Sequence, residues 1–318
     1  MSADAPLVSV PEVPETSVYR ETPLYLESGS ETIFAMYTRP AGEPSDLGVV
    51  FAHSGETNFT AHRNAVFARM SRALARAGFP SVRFDYAGTG ESSGEIRKSV
   101  GGHTAQDADA AIHALTTAGC RRLLLVGSCY GAIPLVVVGA GRDDVAGALL
   151  LSPYLVAGEE VAGSLRGKAH QLINLRTLRT LATNADYRRW FFRRLGAMVR
   201  ALVEAKLDRS GSRPPGGAPE AAAKVVPPRG LLIERDLAQL VTRGVPVQVV
   251  FGAKDDGLRD AETDPEAARA LRLLRENRVS PLGWTVVDGP VHGMEEVATQ
   301  ETMIQLVLQR AHELASAL

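Results

Sequence analysis

One short stretch near the middle of the chain constrains the fold more than any other. Leu123–Val126 is an apolar run typical of a buried strand, and the pentapeptide GSCYG, residues 127–131, follows it directly. Ala132–Ala140 continues as an apolar, helix-like segment. This order predicts a strained strand-to-helix turn that exposes a cysteine side chain above the end of the strand. Glycine is needed at both ends of the pentapeptide, because side chains there would collide with the crossing helix.

Cys129, at the centre of this turn, is the predicted nucleophile. Its thiol is expected at the N-terminus of the following helix, where the helix dipole favours an anion and lowers the thiol pKa. The backbone N–H of Tyr130 is expected to point to the place where an oxyanion would form during acyl chemistry. A buried structural cysteine in a glycine-rich turn is the alternative interpretation.

Composition narrows the class of protein. The 318 residues allow one large domain with an insertion or two small domains. A net charge of -1 gives no reason to expect nucleic acid, and no apolar run is long enough to span a membrane. Cys120 and Cys129 cannot form a disulfide scaffold and fit a reducing, cytoplasmic environment. Residues 1–22 form a polar, flexible tail without the features of a signal peptide.

Strand and helix patterns alternate along the chain, which predicts a mostly parallel sheet. Strands are predicted at residues 24–26, 33–37, 47–52, 81–85, 123–126, 146–151, 245–251 and 284–287. Helices are predicted at residues 63–77, 104–117 and 132–140. The core is therefore expected in residues 23–155 and 237–318. Nothing in the pattern requires a metal or a cofactor, and the oligomeric state stays open.

Residues 156–236 break this alternation, because they carry no strand signal and are typical of helices followed by a loose tract. Proline and glycine in residues 209–228 predict a mobile loop. Nine cations against one acid lie between Leu165 and Arg200. This charge suggests an acyl donor on an anionic carrier, either coenzyme A or an acidic carrier protein, and a solvated helix face is the alternative. The residues predicted to contact the donor are Arg188, Arg189, Trp190, Arg193 and Arg194.

Two side chains later in the sequence have positions suited to activating Cys129. Asp255 follows the predicted strand at residues 245–251, and Asp256 is a spare candidate for the same role. His292 follows the last predicted strand and would take the thiol proton as general base. The acid would fix the tautomer of this histidine and stabilise the imidazolium.

Two loops before the cysteine complete the predicted site. The loop after His53 is expected to supply a second oxyanion donor from Ser54 or Gly55, although it could also be a simple surface turn. The glycine-rich stretch after Asp85 resembles a dinucleotide loop only superficially, because its third glycine and helix start do not fit one. Asp85 is therefore expected to hold this loop in place and not to catalyse.

Three motifs carry a resemblance to a known superfamily. Residues 127–131, 252–255 and 291–293 together resemble those of α/β-hydrolase-fold proteins, over residues 23–318 apart from the insertion. The resemblance implies an α/β fold with a mostly parallel central sheet flanked by helices. It also makes residues 156–236 a helical lid, inserted after the strand that follows the nucleophile turn. The order nucleophile, acid, histidine matches this superfamily.

Within the superfamily, the cysteine turn and two further stretches are similar to exosortase-A-associated hydrolases. The two stretches are His53–Asn58 and Arg83–Gly94. The cysteine is also similar to the nucleophile of cysteine-type thioesterases and acyltransferases. The predicted triad and this resemblance imply acyl transfer or thioester cleavage through an acyl-Cys129 intermediate. The setting would be biosynthesis of a specialised metabolite or glycoconjugate.

Three other functions stay open. The first is ester or lactone hydrolysis of the dienelactone-hydrolase type, and the second is a non-catalytic binding protein. The third is an assembly-line cyclase that releases a thioester-bound chain. Such cyclases are expected to carry their acid after the strand at residues 146–151, where this chain has Ser152, Pro153 and Tyr154.

Overall fold

An eight-stranded sheet forms the centre of the fold in a computed structural model. The structure describes residues 18–54, 59–95, 102–153, 234–255, 258 and 283–317. All of these belong to one of two units, which comprises Met1–Val156 and Gly230–Leu318. The other unit, Ala157–Arg229, lies outside the described residues.

The sheet follows the order β1-β2-β4-β3-β5-β6-β7-β8. Pairing is antiparallel between β1 and β2 and between β2 and β4, and it is parallel for the rest of the sheet. This architecture confirms the predicted α/β-hydrolase fold. The strands are Tyr19–Ser28 (β1), Glu31–Pro40 (β2), Leu47–Ala52 (β3), Ser81–Phe84 (β4), Arg122–Ser128 (β5), Val145–Leu151 (β6), Val247–Gly252 (β7) and Trp284–Val287 (β8).

Helices cover both faces of the sheet, so the central strands are mostly apolar and almost entirely buried. One core packs the sheet against α2, α3 and α4, and the other packs it against α1 and α5. Every residue of β3 and of β7 is buried between these layers. The helices are Val66–Arg76 (α1), Gly102–Thr117 (α2), Ala132–Ala140 (α3), Glu234–Thr242 (α4) and Val297–Ser316 (α5). In the part of the chain that the structure describes, no helix could cross a membrane.

The first strand corrects the predicted boundary of the tail. β1 begins at Tyr19, four residues before the predicted start of the core at residue 23. Its first residues are polar, so apolar content gives no sign of a strand. Glu21 stabilises this end by accepting hydrogen bonds from Arg83 at 2.6 Å and from Arg72 at 2.8 and 2.9 Å. A two-residue turn then leads from β1 to β2.

The predicted lid lies almost entirely outside the described residues. Residues 234–236 are the exception, and they begin α4, whose Leu237 and Leu240 are buried in the core. The predicted mobile loop at residues 209–228 lies outside the described residues. So do the five predicted donor contacts, Arg188, Arg189, Trp190, Arg193 and Arg194.

Candidate active site

The structure places Cys129 on a strained turn between β5 and α3. Its φ angle is 52°, in the left-handed region that a non-glycine residue seldom adopts. A Cβ on Gly127 would lie 2.5 Å from the Cα of Ala132, and a Cβ on Gly131 would lie 2.2 Å from the carbonyl oxygen of Ala52. Both glycines are therefore required by backbone packing, and the turn has the geometry that the sequence predicts.

The thiol of Cys129 is buried, with 7% of the residue exposed. Burial raises the pKa of this thiol to about 11. The backbone N–H of Tyr130 donates to the sulfur and, with the nearby Arg63 cation, lowers the pKa, while the charge of Asp255 raises it. The predicted lowering of the thiol pKa was therefore wrong, because loss of solvation outweighs the hydrogen bond and the cation.

Asp255 joins the end of β7 to the loop that carries His292. Its carboxylate accepts hydrogen bonds from the backbone N–H of Gly252 at 2.7 Å and from the backbone N–H of His292 at 3.1 and 3.2 Å. Only 6% of Asp255 is exposed, so a buried carboxylate fixes the position of the histidine loop. The spare candidate, Asp256, lies outside the described residues.

The side chain of His292 is exposed. Within the described residues, its ring forms no hydrogen bond with Asp255 or with Cys129. Asp255 therefore contacts the backbone of His292. Among the described residues, no hydrogen bond connects the side chains of Cys129, Asp255 and His292. Catalytic hydrogen bonds are often long or poorly aligned before substrate binds, so this arrangement does not exclude the predicted triad.

The predicted oxyanion donors lie on two neighbouring segments. The N–H of Tyr130 faces the sulfur of Cys129. The end of β3 packs directly against Gly131, through the carbonyl groups of Ala52 and His53, and Ser54 follows as a half-buried residue. Gly55, the other predicted donor, lies outside the described residues.

Asp85 holds a loop, as predicted. Its carboxylate accepts hydrogen bonds from the backbone N–H of Thr60 at 2.7 Å and of Glu91 at 3.4 Å. His53 lies 3.6 Å from the same carboxylate. Gly90 has a φ of 53° and packs so closely on Asp85 that a Cβ would overlap its carboxylate. Asp85 therefore connects three loops beside the nucleophile turn.

Sequence analysis missed a second histidine at the site. The Nε2 of His62 lies 3.1 Å from the hydroxyl of Ser128, the residue before the nucleophile. Burial, together with the smaller effects of the charges of His53, Arg63 and His292, lowers the pKa of His62 to about 3, so the ring is neutral at pH 7. No sequence signal marks this contact, because 66 positions separate the two residues.

Comparisons with known proteins agree with the fold. Residues 49–299 match the family described as the alpha/beta hydrolase family. An esterase from Pyrococcus furiosus superposes with a TM-score of 0.57 at 14% identity, over 92% of this chain and 91% of that one. VinJ superposes with a TM-score of 0.54 at 17% identity, over 92% of this chain and 99% of that one.

A dienelactone hydrolase from Anabaena variabilis is similar to the same extent. It superposes with a TM-score of 0.53 at 13% identity, over 92% of this chain and 97% of that one. No curated protein matches the sequence significantly. At these identities, the solved structures show a shared fold.

Proposed function

The chain belongs to the alpha/beta hydrolase family, and on that premise we propose that it transfers or releases an acyl group through an acyl-Cys129 intermediate. One observation carries this proposal. Cys129 occupies the left-handed position of the turn, between two glycines that backbone packing requires. A protein retains such strain where the surrounding structure fixes it, and functional sites are where it concentrates.

The proposed reaction begins with attack of the Cys129 sulfur on the carbonyl carbon of a thioester or ester. His292 accepts the thiol proton, and the N–H of Tyr130 donates to the oxyanion that forms. The leaving thiol or alcohol departs with the proton from His292. A second nucleophile then gives its proton to His292, attacks the acyl-thioester and regenerates the thiol. Because the pKa of Cys129 is raised to about 11, proton transfer to His292 during the attack avoids the cost of forming a free thiolate.

Formation of the acyl-enzyme is tested by the mass of the intact protein. After mixing with a short acyl thioester of N-acetylcysteamine, we expect the wild-type protein to gain one acyl group. Cys129→Ala should gain none. Cys120→Ala is the matched control, because Cys120 is also a buried thiol whose pKa burial raises to about 11. Equal acylation of the two variants would contradict the proposal.

Hydrolysis of an ester or lactone is the second candidate, and the exposed side chain of His292 favours it. A base that faces solvent can activate water against the acyl-enzyme. Turnover of a p-nitrophenyl ester with and without an added amine or thiol distinguishes acyl transfer from hydrolysis. A transferase forms the acylated acceptor at the expense of the free acid, whereas a hydrolase forms only the acid.

The cyclase alternative gains no support from the end of β6. Ser152 and Pro153 follow this strand, both are buried, and neither is an acid. Ser152 has a φ of 44° and donates its backbone N–H to the carbonyl of Val250 at 2.7 Å. The described residues after β6 therefore lack the carboxylate that an assembly-line cyclase is expected to carry there.

We also propose that the basic insertion recognises an anionic carrier on the acyl donor, either coenzyme A or an acidic carrier protein. The support is its charge, nine cations against one acid between Leu165 and Arg200. Charge reversal of Arg188, Arg189, Arg193 and Arg194 should raise the KM for a carrier-bound donor and spare a short neutral thioester. High salt should act in the same direction. Equal effects on both donors would contradict carrier recognition.

A further inference from the structure

We infer that Asn64 is a positioning residue, which holds the loop of the proposed base, His292, at the nucleophile turn. The inference rests on the proposed function and deepens it, because it names the contact that keeps the base loop close to the nucleophile. Asn64 donates to the backbone of that loop and acts on the reaction only through the position of His292. No sequence signal marks this contact, because 230 positions separate its two residues.

The order of the strands shows why such a contact matters. Cys129 follows β5 and His292 comes after β8, and β6 and β7 lie between these two strands in the sheet. Asp255, at the end of β7, accepts hydrogen bonds from the backbone N–H groups of Gly252 and His292. These bonds attach the base loop to β7. A direct connection from the base loop to the nucleophile turn therefore comes from another part of the chain.

Residues 59–65, here called the connecting segment, supply this connection. The Nε2 of His62 lies 3.1 Å from the hydroxyl of Ser128, which directly precedes the nucleophile. Two positions later, the side-chain amide of Asn64 donates to the carbonyl of Met294 at 2.9 Å, two residues after the proposed base. Two side chains of one short segment thus join the nucleophile turn to the base loop.

The carbonyl of Met294 is a fixed point of the base loop. It accepts a second hydrogen bond from the side-chain amide of Gln300 on α5 at 2.8 Å, and Gln300 accepts one from Arg69 of α1 at 2.7 Å. Met294 is fully buried, has a φ of 46°, and donates its N–H to the carbonyl of Pro290 at 3.0 Å. A residue other than glycine keeps such a φ only where contacts impose it, and the two amides provide contacts of this kind.

The connecting segment presents the amide of Asn64 from a determined backbone. His62, Asn64 and Ala65 have φ angles of 60°, 53° and 55°. Asparagine adopts this left-handed conformation more readily than most residues, so it suits both the backbone and the contact. Just upstream, the N–H of Thr60 donates to the buried carboxylate of Asp85 at 2.7 Å. Asn64 itself is exposed, so its replacement leaves the packing of the core intact.

Amide hydrogen exchange tests whether Asn64 holds the base loop, and it needs no activity. Asn64→Asp replaces the donating nitrogen by an oxygen, and Asn64→Gly removes the side chain while permitting the positive φ. In both variants, exchange at the N–H groups of His292 and Met294 should accelerate about three- to tenfold, as expected for loss of one hydrogen bond. Mass spectrometry of the peptide that contains both groups measures this rate.

Ala65→Gly is the matched control for the exchange measurement. It relaxes the neighbouring positive φ and keeps the amide of Asn64, so exchange in the base loop should match the wild type. Unchanged exchange in both Asn64 variants would overturn the inference. Acceleration in Ala65→Gly equal to that in Asn64→Gly would also overturn it, because backbone freedom would then account for the effect.

A double-mutant cycle with His292→Ala tests whether Asn64 acts on the reaction through the base. Asn64→Gly should slow acylation of Cys129 by the thioester of N-acetylcysteamine about tenfold, because misplacement of a reacting group by a fraction of an ångström is costly. In the His292→Ala background, the same change should slow the remaining acylation by less than about twofold, because there is no base left to position. Equal losses in the two backgrounds would overturn the inference, since a general structural role predicts them.

The outcomes for the proposed function are separate. If the wild-type protein is not acylated at Cys129, the proposed function fails, and hydrogen exchange still decides whether Asn64 holds the base loop. If the wild type is acylated and Asn64→Gly reacts at the same rate, the inference fails alone.

Discussion

His62 should make this protein sensitive to acid, and His62→Gln should remove much of that sensitivity. Burial holds the pKa of His62 at about 3, and its Nδ1 has no hydrogen-bond partner within the described residues. In the unfolded chain, a histidine has a pKa of about 6.5. Between these two values the unfolded state binds a proton that the folded state does not. Stability therefore falls as the pH drops below about 6.5 and continues to fall to about 3.

The size of this effect follows from the two pKa values. Between pH 7 and pH 4, proton binding to the unfolded chain at this one position costs about 3 kcal/mol of the free energy of unfolding. His62→Gln removes the titrating group. The variant also loses the ring contact with Phe67, whose centroid lies 4.5 Å away, so its stability at pH 7 should be lower. The loss between pH 7 and pH 4 should nevertheless be about 3 kcal/mol smaller than in the wild type.

Urea unfolding followed by circular dichroism at pH 4, 5, 6 and 7 measures this difference. His113→Gln is the matched control, because His113 is exposed on α2, and this variant should follow the wild-type curve. If His62→Gln lost as much stability as the wild type between pH 7 and pH 4, then His62 would not be a neutral buried histidine. The conclusion that burial lowers the pKa of His62 would then be wrong.

Three further outcomes are expected. Alkylation of Cys129 by iodoacetamide should accelerate with pH up to about 11, the pKa of its thiol, and a plateau near neutral pH would contradict the burial argument. Asp255→Asn should lower kcat at least about a hundredfold, and it should also lower Tm because both carboxylate oxygens accept backbone hydrogen bonds. Asp256→Asn should lower kcat little, and the reverse order would assign the acid to the neighbouring residue. Gly131→Ala should reduce the yield of folded protein, because a Cβ at this position would lie 2.2 Å from a backbone oxygen. Gly42→Ala should be neutral, because a Cβ there meets nothing within 4 Å. Equal Tm values for the two variants would refute this packing argument.

The sequence predicted the bounds of those strands and helices that are set by neighbouring residues. β3, β8 and α3 have the predicted bounds, because each is a short apolar run ended by turn residues. The start of β1 was missed because Glu21 is stabilised there by arginines of α1 and β4, far along the chain. Contacts between distant residues also explain what was missed at the site. The turn at Cys129 is local and was predicted, whereas its burial and the contact of His62 with Ser128 depend on tertiary packing.

The raised thiol pKa decides how a site of this kind can work. With a pKa of about 11, the thiol of Cys129 is ionised in about one molecule in ten thousand at pH 7, which corresponds to about 5 kcal/mol. Reaction through the free thiolate would therefore carry this cost, and transfer of the proton to His292 during the attack avoids it.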